Sequence, residues 1–267
     1  MQEEKYLIIP NKKDLKLYEK YNFNTFILPL KDYSIGFNIY YDIDEINELS
    51  KEYKIYVIIN KLLHRKIDDF KKIYNLFNKN IMFIVEDIGL TNIIDKDRFI
   101  MFENHIVSNY KSVNYLKDLG YKNIVINNDL TINEIKEIIN KTDSNLYYFY
   151  INKNQLMYSR RPLVSDFNEY YNLDNVNSYK LTEIISKKIL DIKEEKDGTI
   201  VTYDKIFCAS KYINDLKELY KIINFTDIDE INENMILENY NKDNLCDLID
   251  SDYYFIENDI KYKVGDL

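Results

Sequence analysis

The sequence LYYFYINKNQLMYSRRPLVSDFN, residues 146–168, joins an apolar strand to a polar turn and a pair of arginines. Its first six residues are aromatic or aliphatic, which is typical of a buried strand. Arg160 and Arg161 follow soon after that strand, directly before Pro162. Two adjacent guanidinium groups beside a buried strand need an anion, carboxylates or solvent around them. The stretch therefore predicts a binding site close to the end of a buried strand.

Upstream of this stretch, short apolar runs alternate with amphipathic segments. The predicted strands are residues 6–9, 25–28, 55–59, 81–85, 98–102, 123–126 and 146–151. Helices are predicted between them, with Asp42 or Asp44, Ser108 and Thr131 as N-terminal caps and Gly120 as a C-terminal stop. Apolar strands joined by helices favour a parallel sheet with right-handed crossovers. A TIM-like barrel and a doubly wound sheet both fit this pattern.

Downstream of residue 168 the order of elements changes. Residues 169–178 are polar and predict a loop, and Asp197-Gly198 predicts a hairpin turn between two short apolar runs. A helix is predicted over 213–223, a strand over 225–228 and a helix over 231–240. We expect one domain over residues 1–267, made of β/α repeats (1–151), the arginine motif and a loop (152–178), and a hairpin with closing elements (179–267).

Composition limits the function classes. Asp and Glu number 45 against 36 Lys and Arg, so the net charge of −9 argues against a broad nucleic-acid-binding surface. The two cysteines, Cys208 and Cys246, lie far apart and predict neither a disulfide framework nor a zinc site. The first residues do not resemble a signal peptide, and no window is apolar enough to span a membrane. We expect a cytoplasmic protein with no membrane partner.

Several motifs occur in an order that resembles the U32 peptidase-like family. Tyr158-Ser159-Arg160-Arg161 is similar to the family's Tyr-Ser-x-Arg element, and residues 109–135 look like its upstream segment. Asn60 after a strand, Asp87-Ile88-Gly89-Leu90 and Asp197-Gly198-Thr199 match further elements. The resemblance implies a TIM-like (β/α) barrel, complete or incomplete, with a C-terminal hairpin and helical extension. It also implies either a collagenase-type peptidase or a role in hydroxylating tRNA, rRNA or quinone precursors with an iron–sulfur cluster.

The cluster-binding positions of that family are not matched here. Its cluster-bearing members use four cysteines, two of which flank the Tyr-Ser-x-Arg element, where this chain has Gln155 and Pro162. The second pair is expected within 169–178, which contains no cysteine. Asn128-Asp129 replaces a basic-acidic pair of the family. Because a cluster needs about four thiolates, we expect no iron–sulfur cofactor unless a partner provides the ligands.

Candidate binding residues are those of the motif and of the strand ends. Arg160 and Arg161 suit a phosphate or carboxylate, although salt bridges to Glu86, Asp87 or Asp129 would explain them equally. The full set of predicted binding residues is Arg160, Arg161, Tyr158, Asn60, Asp87 and Asn109. Helix capping is the structural alternative for Asn109 and Asp129.

Candidate catalytic residues are Ser159, His105 and Asp129. Ser159 as a nucleophile needs a base, and His105 follows a predicted strand that points to the same end of the barrel. His105 with Glu103, Glu86 and Asp87 is also a possible metal site, with solvated loop charges as the alternative. His64 is predicted to lie at the surface.

Three functions are compatible with these observations. The first is a U32-like barrel without a cluster that binds a small anion or an RNA element. It acts as a binding or partner subunit in the hydroxylation of RNA nucleotides or small molecules, with a second U32-like chain or RNA as the expected partner. The second is a hydrolase, as the peptidase label implies. The third is an interaction protein without catalysis.

Overall fold

The computed structural model describes residues 5–102, 107–184 and 187–257. Its strands are β1 (Tyr6–Ile9), β2 (Thr25–Pro29), β3 (Lys54–Ile59), β4 (Met82–Val85), β5 (Phe99–Phe102), β6 (Asn123–Val125), β7 (Asn145–Asn152), β8 (Gln155–Ser159), β9 (Ser178–Thr182), β10 (Ile189–Glu195), β11 (Gly198–Tyr203), β12 (Ile206–Cys208), β13 (Tyr220–Asn224) and β14 (Ser251–Asp252). Its α-helices are α1 (Lys16–Glu19), α2 (Ile43–Leu49), α3 (Ile67–Tyr74), α4 (Tyr110–Asp118), α5 (Ile132–Lys141), α6 (Leu163–Tyr171) and α7 (Glu230–Asn239). Short 3₁₀ helices are His64–Lys66, Ile88–Asn92, Lys96–Arg98, Ser210–Tyr212, Leu245–Asp247 and Tyr254–Ile256.

Eight parallel strands close into a barrel. Strands β1 to β7 pair in sequence order, and β13 closes the ring by pairing in parallel with both β1 and β7. Helices lie between successive strands, so the fold is an α/β TIM-like barrel, as predicted from the alternating apolar runs. The choice between barrel and doubly wound sheet is decided by the β13–β7 and β13–β1 ladders, which leave no open edge between the first and last strands.

Side chains of the barrel strands divide into two buried layers because successive residues point to opposite faces. One layer fills the barrel interior, with Tyr56 and Tyr147 near the amino ends of their strands and Phe102 and Phe149 near the carboxyl ends. The other layer packs between the barrel and its helices. Strand β3 is buried from its second residue onward, as expected for a strand covered on both faces.

Helix caps follow the sequence signals with one exception. Asp42 and Thr131 both form capping boxes, with Glu45 and Glu134 as the reciprocal residues. The prediction that Ser108 caps α4 is wrong. Asn109 is extended and its side chain accepts hydrogen bonds from Lys111 N and Ser112 N, which places the carbonyl oxygen on the free amides of the first turn.

Between β7 and the last barrel strand the chain forms a separate antiparallel sheet, which we call the roof sheet (strands β8–β11). Its strand order is β8-β11-β10-β9. The predicted turn at Asp197-Gly198 is confirmed, because Glu195 of β10 pairs with Gly198 of β11. The predicted loop over 169–178 is wrong at its start, since α6 continues to Tyr171 and ends at Asn172 in a left-handed conformation.

The sequence pattern predicts the last barrel strand about five residues too late in the chain. Residues 213–223 were expected to be helical, yet β13 begins at Tyr220 and the predicted strand over 225–228 lies beyond it. Leu216, Leu219 and Ile223 are all buried, and their spacing of three to four residues is typical of a helix face. Here the first two pack in a turn and the third in a strand, so the spacing does not arise from one element.

The two cysteines are paired, which corrects the prediction of no disulfide. Cys208 ends β12, and Cys246 lies in the 3₁₀ helix Leu245–Asp247, with the two Cα atoms 5.6 Å apart. Strand β12 runs antiparallel to β7 and pairs with β14, which brings the two distant segments together. Within the described ranges, no helix has the length and apolar character that a membrane crossing requires.

Candidate binding site at the barrel mouth

A cavity of about 610 Å³ lies between the carboxyl ends of the barrel strands and the roof sheet. We call it the mouth cavity. Strands β3, β5, β6, β7 and β13, or the loops that follow them, provide its lower wall. Strands β9, β10 and β11 provide its upper wall. The carboxyl ends of barrel strands are where this fold holds its ligands.

The floor of the mouth cavity is apolar and aromatic. The rings of Phe102 and Phe149 are in tilted contact, with their centroids 5.3 Å apart. Phe37 and Ile58 extend this floor, and Ile200 of the roof sheet faces it. An apolar floor with a few polar groups above it is the usual composition of a small-molecule site.

Amide side chains on the rim hold the loops that shape the cavity. Asn60 accepts a hydrogen bond from Ile35 N and donates one to Ile35 O, both at 2.9 Å. Asn128 donates to Phe149 O at 2.7 Å, and Asn127 accepts from Asp129 N at 3.1 Å. These amides follow barrel strands, as the sequence pattern indicated, and their bonds fix the loop backbone.

Two further asparagines have polar atoms that are not used. Asn152 ends β7 and Asn154 follows in the turn to β8, and both line the mouth cavity while only 7% and 6% exposed. Among the described residues, Asn152 Oδ1 and Asn154 Nδ2 have no hydrogen-bond partner. A buried polar atom without a partner costs about 1–3 kcal/mol. Two residues that line the cavity therefore carry one unpaired acceptor and one unpaired donor.

Charged side chains of both signs surround the opening. Asp191 of the roof sheet contacts Lys153 at 3.5 Å and Lys180 at 3.3 Å. Asp129 lies on the barrel side of the cavity. Burial, and after it the charge of Asp129, raises the pKa of Tyr148. The site thus offers an ammonium–carboxylate cluster at its upper edge and a carboxylate at its lower edge.

The roof sheet is fastened to the barrel at its hairpin tip. Lys61 Nζ, directly after Asn60, forms a salt bridge of 2.5 Å with Asp197 Oδ2. That hydrogen bond from Lys61 lowers the pKa of the Asp197 carboxyl. Tyr40 Oη donates to Glu195 Oε2 at 3.1 Å, close to the same tip. These contacts keep the roof sheet over the cavity.

The residues of the Tyr-Ser-Arg-Arg motif lie outside the mouth cavity. Ser159 Oγ accepts a hydrogen bond from Arg161 N at 3.2 Å, and Tyr158 Oη donates to Asp197 O at 3.2 Å. Arg160 borders a shallow surface depression beside Glu194 and Glu195. Neither arginine forms a salt bridge within the described chain, so the predicted ion pairs to the barrel acids are not formed there.

The other predicted site residues are dispersed. Asp87 accepts from Gly89 N and Leu63 N and so fixes a loop, and Asn109 caps α4. His105 and its neighbour Glu103 lie outside the described residues. Of the predicted set, the structure brings Asn60 and Asp129 to the mouth cavity. The catalytic and binding roles of all these residues stay predictions.

Asn152, Lys153, Asn154 and Asp191 were not among the predicted site residues. The first three follow β7 directly, so the rule that polar residues after barrel strands form the site would have found them. Asp191 belongs to a hairpin distant in sequence, and no local pattern places it above the barrel. In the described ranges, no group of three or more His, Cys, Asp or Glu side chains is arranged to hold a metal ion.

An iron–sulfur cluster does not fit the donor set of this chain. The chain has two cysteines, and both are in the Cys208–Cys246 disulfide. Neither lines the mouth cavity. Cluster coordination by cysteine takes about four thiolates, so this chain alone lacks the ligands.

Comparisons with known proteins assign the family. The model of peptidase family U32 matches residues 36–228, from the loop after β2 to just beyond β13. The structure of the U32 peptidase Mk0906 aligns with a TM-score of 0.42 and 8% identity over 56% of this chain and 69% of that one. The spore cortex-lytic enzyme SleL of Bacillus megaterium QM B1551 aligns with a TM-score of 0.35 and 10% identity over 83% and 69%. No curated protein matches the sequence. Since the family match covers well over half of this chain, the chain belongs to peptidase family U32.

Proposed function

We propose that this U32-family chain is a binding subunit that works without an iron–sulfur cluster of its own. Its mouth cavity holds a small polar molecule, or one unpaired nucleotide of an RNA, for hydroxylation by a partner chain. The observation that carries the proposal is the unpaired acceptor of Asn152 and the unpaired donor of Asn154, two residues that line the mouth cavity.

The composition of the cavity supports a planar polar ligand. The rings of Phe102 and Phe149 offer an apolar surface at the floor, and a flat ring packs well on aromatic side chains. A donor and an acceptor two residues apart at the end of β7 suit a ligand edge that carries both N–H and C=O groups. A nucleobase and a small aromatic amide or acid share this shape and polarity.

The charge of the chain supports a single nucleotide over a long strand. With a net charge of −9 the surface as a whole repels a polyanion. Lys153 and Lys180 are near the cavity, but both contact Asp191. The positive and negative charges at the opening are therefore balanced. The opening accommodates one phosphate more readily than the phosphate backbone of a nucleic-acid strand.

A binding role is favoured over hydrolysis by the chemistry of the lining. No histidine or cysteine lines the mouth cavity in the described part of the chain. Ser159 lies outside it, and its hydroxyl oxygen accepts a backbone hydrogen bond. Peptide hydrolysis, which the family's name describes, is the competing function that the experiment must separate.

Calorimetric titration with the four ribonucleosides and with 4-hydroxybenzoate tests the proposal. We expect at least one of these ligands to bind, and Asn154→Leu to weaken that binding about five- to tenfold through the loss of one hydrogen bond. The double variant Arg160→Ala/Arg161→Ala is the control, because both side chains lie outside the cavity and affinity should be unchanged.

Two results would contradict the proposal. One is affinity that falls in the arginine variant and persists in Asn154→Leu, which would place the site on the outer side of the roof sheet. The other is cleavage of a peptide substrate by the purified chain that disappears in Asp129→Asn. The second result would establish the hydrolase instead.

A further inference from the structure

The outward face of α6 carries large aromatic side chains that the chain does not bury. Phe167, Tyr170 and Tyr171 are 47%, 78% and 57% exposed, and Leu173 just beyond the helix is 48% exposed. The rings of Phe167 and Tyr171 contact each other at 4.8 Å, as do those of Tyr170 and Tyr171. We call these four residues the α6 patch. A contiguous exposed apolar patch of this kind marks an interaction surface.

The orientation of α6 is fixed by its opposite face. Glu194 of β10 accepts hydrogen bonds from Val164 N and Ser165 N at 2.9 and 3.0 Å and one from the Ser165 hydroxyl. Leu163 N donates to Thr199 Oγ1 at 3.0 Å. The helix is therefore attached to the roof sheet by its first turn.

The α6 patch faces away from the mouth cavity. Glu194 of β10 pairs with Thr199 of β11, and both residues hold α6. Their neighbours Lys193 and Ile200 also pair with each other, and both line the cavity. Successive residues of a strand point to opposite faces. The helix thus covers the upper side of the roof sheet, and its aromatic residues point outward.

Charge is distributed unevenly along this surface. Arg160 and Arg161 precede the helix, while Asp166, Glu169 and Asp174 lie within or after it. Residues 162–179 contain no lysine or arginine. Among the described residues, none of these five charged side chains takes part in a salt bridge. Two arginines thus precede the aromatic residues in the chain, and Glu169 and Asp174 lie among or after them.

We propose that the α6 patch is the two-fold interface between two copies of this chain, with the two α6 helices antiparallel and Phe167 near the axis. In this arrangement the first turn of α6 lies beside the last turn of α6 in the second copy. Arg160 and Arg161 precede the first turn, and Asp174 follows the last turn. The basic end of each copy therefore meets the acidic end of the other.

Self-complementarity identifies the occupant as a second copy. A two-fold interface uses the same surface on both subunits, so the charges on that surface must complement one another across the axis. The surface around α6 has this property. Paired arginine and carboxylate groups at the rim, with aromatic residues in the centre, match the composition of protein interfaces. The antiparallel arrangement also brings opposite ends of the two helix dipoles together.

Sedimentation velocity of the full chain at about 100 μM, where micromolar association is nearly complete, tests the interface. We expect a dimer for the wild type. Phe167→Glu/Tyr170→Glu should weaken association roughly 30-fold or more, since it removes central aromatic contacts. Tyr115→Glu is the matched control, because Tyr115 is an aromatic residue 65% exposed on α4, and it should leave the dimer intact.

Charge reversal tests the two-fold geometry. Arg160→Glu/Arg161→Glu and Glu169→Lys/Asp174→Lys should each self-associate more weakly than the wild type. In a dimer of either variant, each altered end faces an unaltered end of the same charge. In a mixed dimer the two altered ends carry opposite charges, so mixing the variants should restore dimers. Circular dichroism of each variant confirms that it is folded. A wild-type monomer at this concentration, or a dimer that tolerates the α6 changes, would overturn the proposal. So would failure of the mixture to associate.

Discussion

The conformation of Gly198 ties the roof hairpin to the arginine motif. Its φ is +145°, and a Cβ atom placed there would lie 2.2 Å from the carbonyl oxygen of Ser159 and 3.0 Å from the Cα of Arg160. Both contacts are with backbone, so a side-chain rotation cannot relieve them. Close approach of two chain segments is therefore the reason that this turn position requires glycine.

We predict that Gly198→Ala lowers the free energy of unfolding by roughly 2–4 kcal/mol, since it combines an unfavourable backbone conformation with overpacking. Gly120→Ala is the matched control. Gly120 also has a positive φ, of +95°, but its nearest neighbour would be the Lys96 side chain at 3.1 Å. A lysine side chain can move, so the cost should be about 1 kcal/mol. Urea denaturation of both variants measures the difference, and equal losses would contradict the role of the Ser159 contact.

Individual site residues were predictable only where the strand rule applies. Asn60 and Asp129 follow barrel strands, and the structure places both at the mouth cavity. Arg160 and Arg161 also follow a strand closely in sequence, yet β8 turns back to become an edge of the roof sheet and carries them outward. Asp191 reaches the cavity through pairing between β9, β10 and β11, which depends on distant residues. Local sequence cannot specify such pairing.

At the scale of elements, continuous apolar runs were the most reliable signal. The runs at 55–59 and 146–151 became β3 and β7 because a strand buried on both faces needs apolar residues throughout. The elements outside the barrel followed weaker signals. Helix α6 contains two tyrosines and several polar residues, and its stability comes from the hydrogen bonds of Glu194 to its first turn. That carboxylate lies about 30 positions away in sequence, so no local pattern predicted the helix, and its last three residues were predicted as loop.

The disulfide is expected to stabilise the segment that closes the barrel. It links Cys208 to Cys246 across 38 residues that include β13 and α7. Closing a loop of this length reduces the entropy of the unfolded chain by the equivalent of about 4 kcal/mol in the simplest model, and measured values are commonly lower. We predict that Cys208→Ala/Cys246→Ala lowers the free energy of unfolding by about 2–4 kcal/mol.

Urea denaturation with and without a thiol reductant provides the measurement. The reductant should destabilise the wild type and leave the double variant unchanged. Cys208 is fully buried and Cys246 is 6% exposed, so reduction requires local opening and should be slow under native conditions. Titration of two free thiols in the denatured, unreduced protein would contradict the presence of this bond.

At the scale of the whole molecule, one end of the barrel is closed by side chains and the other is covered by the roof sheet. Tyr147 and Tyr220 stack at 4.6 Å near the amino ends of their strands, while the carboxyl ends surround the mouth cavity. Two contacts connect the barrel to the roof sheet: the Lys61–Asp197 salt bridge and the hydrogen bond from Tyr40 to Glu195. A ligand in the cavity would contact both parts, so binding should stabilise their association.

The donor inventory of the whole chain leads to a last prediction about iron. Cys208 and Cys246 are the only thiols in the sequence, and the structure pairs them away from the mouth cavity. Anaerobic incubation with ferrous iron and sulfide should therefore leave less than one cluster per chain after desalting, because about four thiolates are required. Iron analysis and visible absorbance after reduction of the disulfide make the test stringent, since both thiols are then available. A stable cluster that is lost in Cys208→Ser would contradict this prediction and would remove the basis for a binding subunit without its own cofactor. A cluster that appears only when a second cysteine-containing U32 chain is added would instead place the redox chemistry in that chain and support the division of roles proposed for this one.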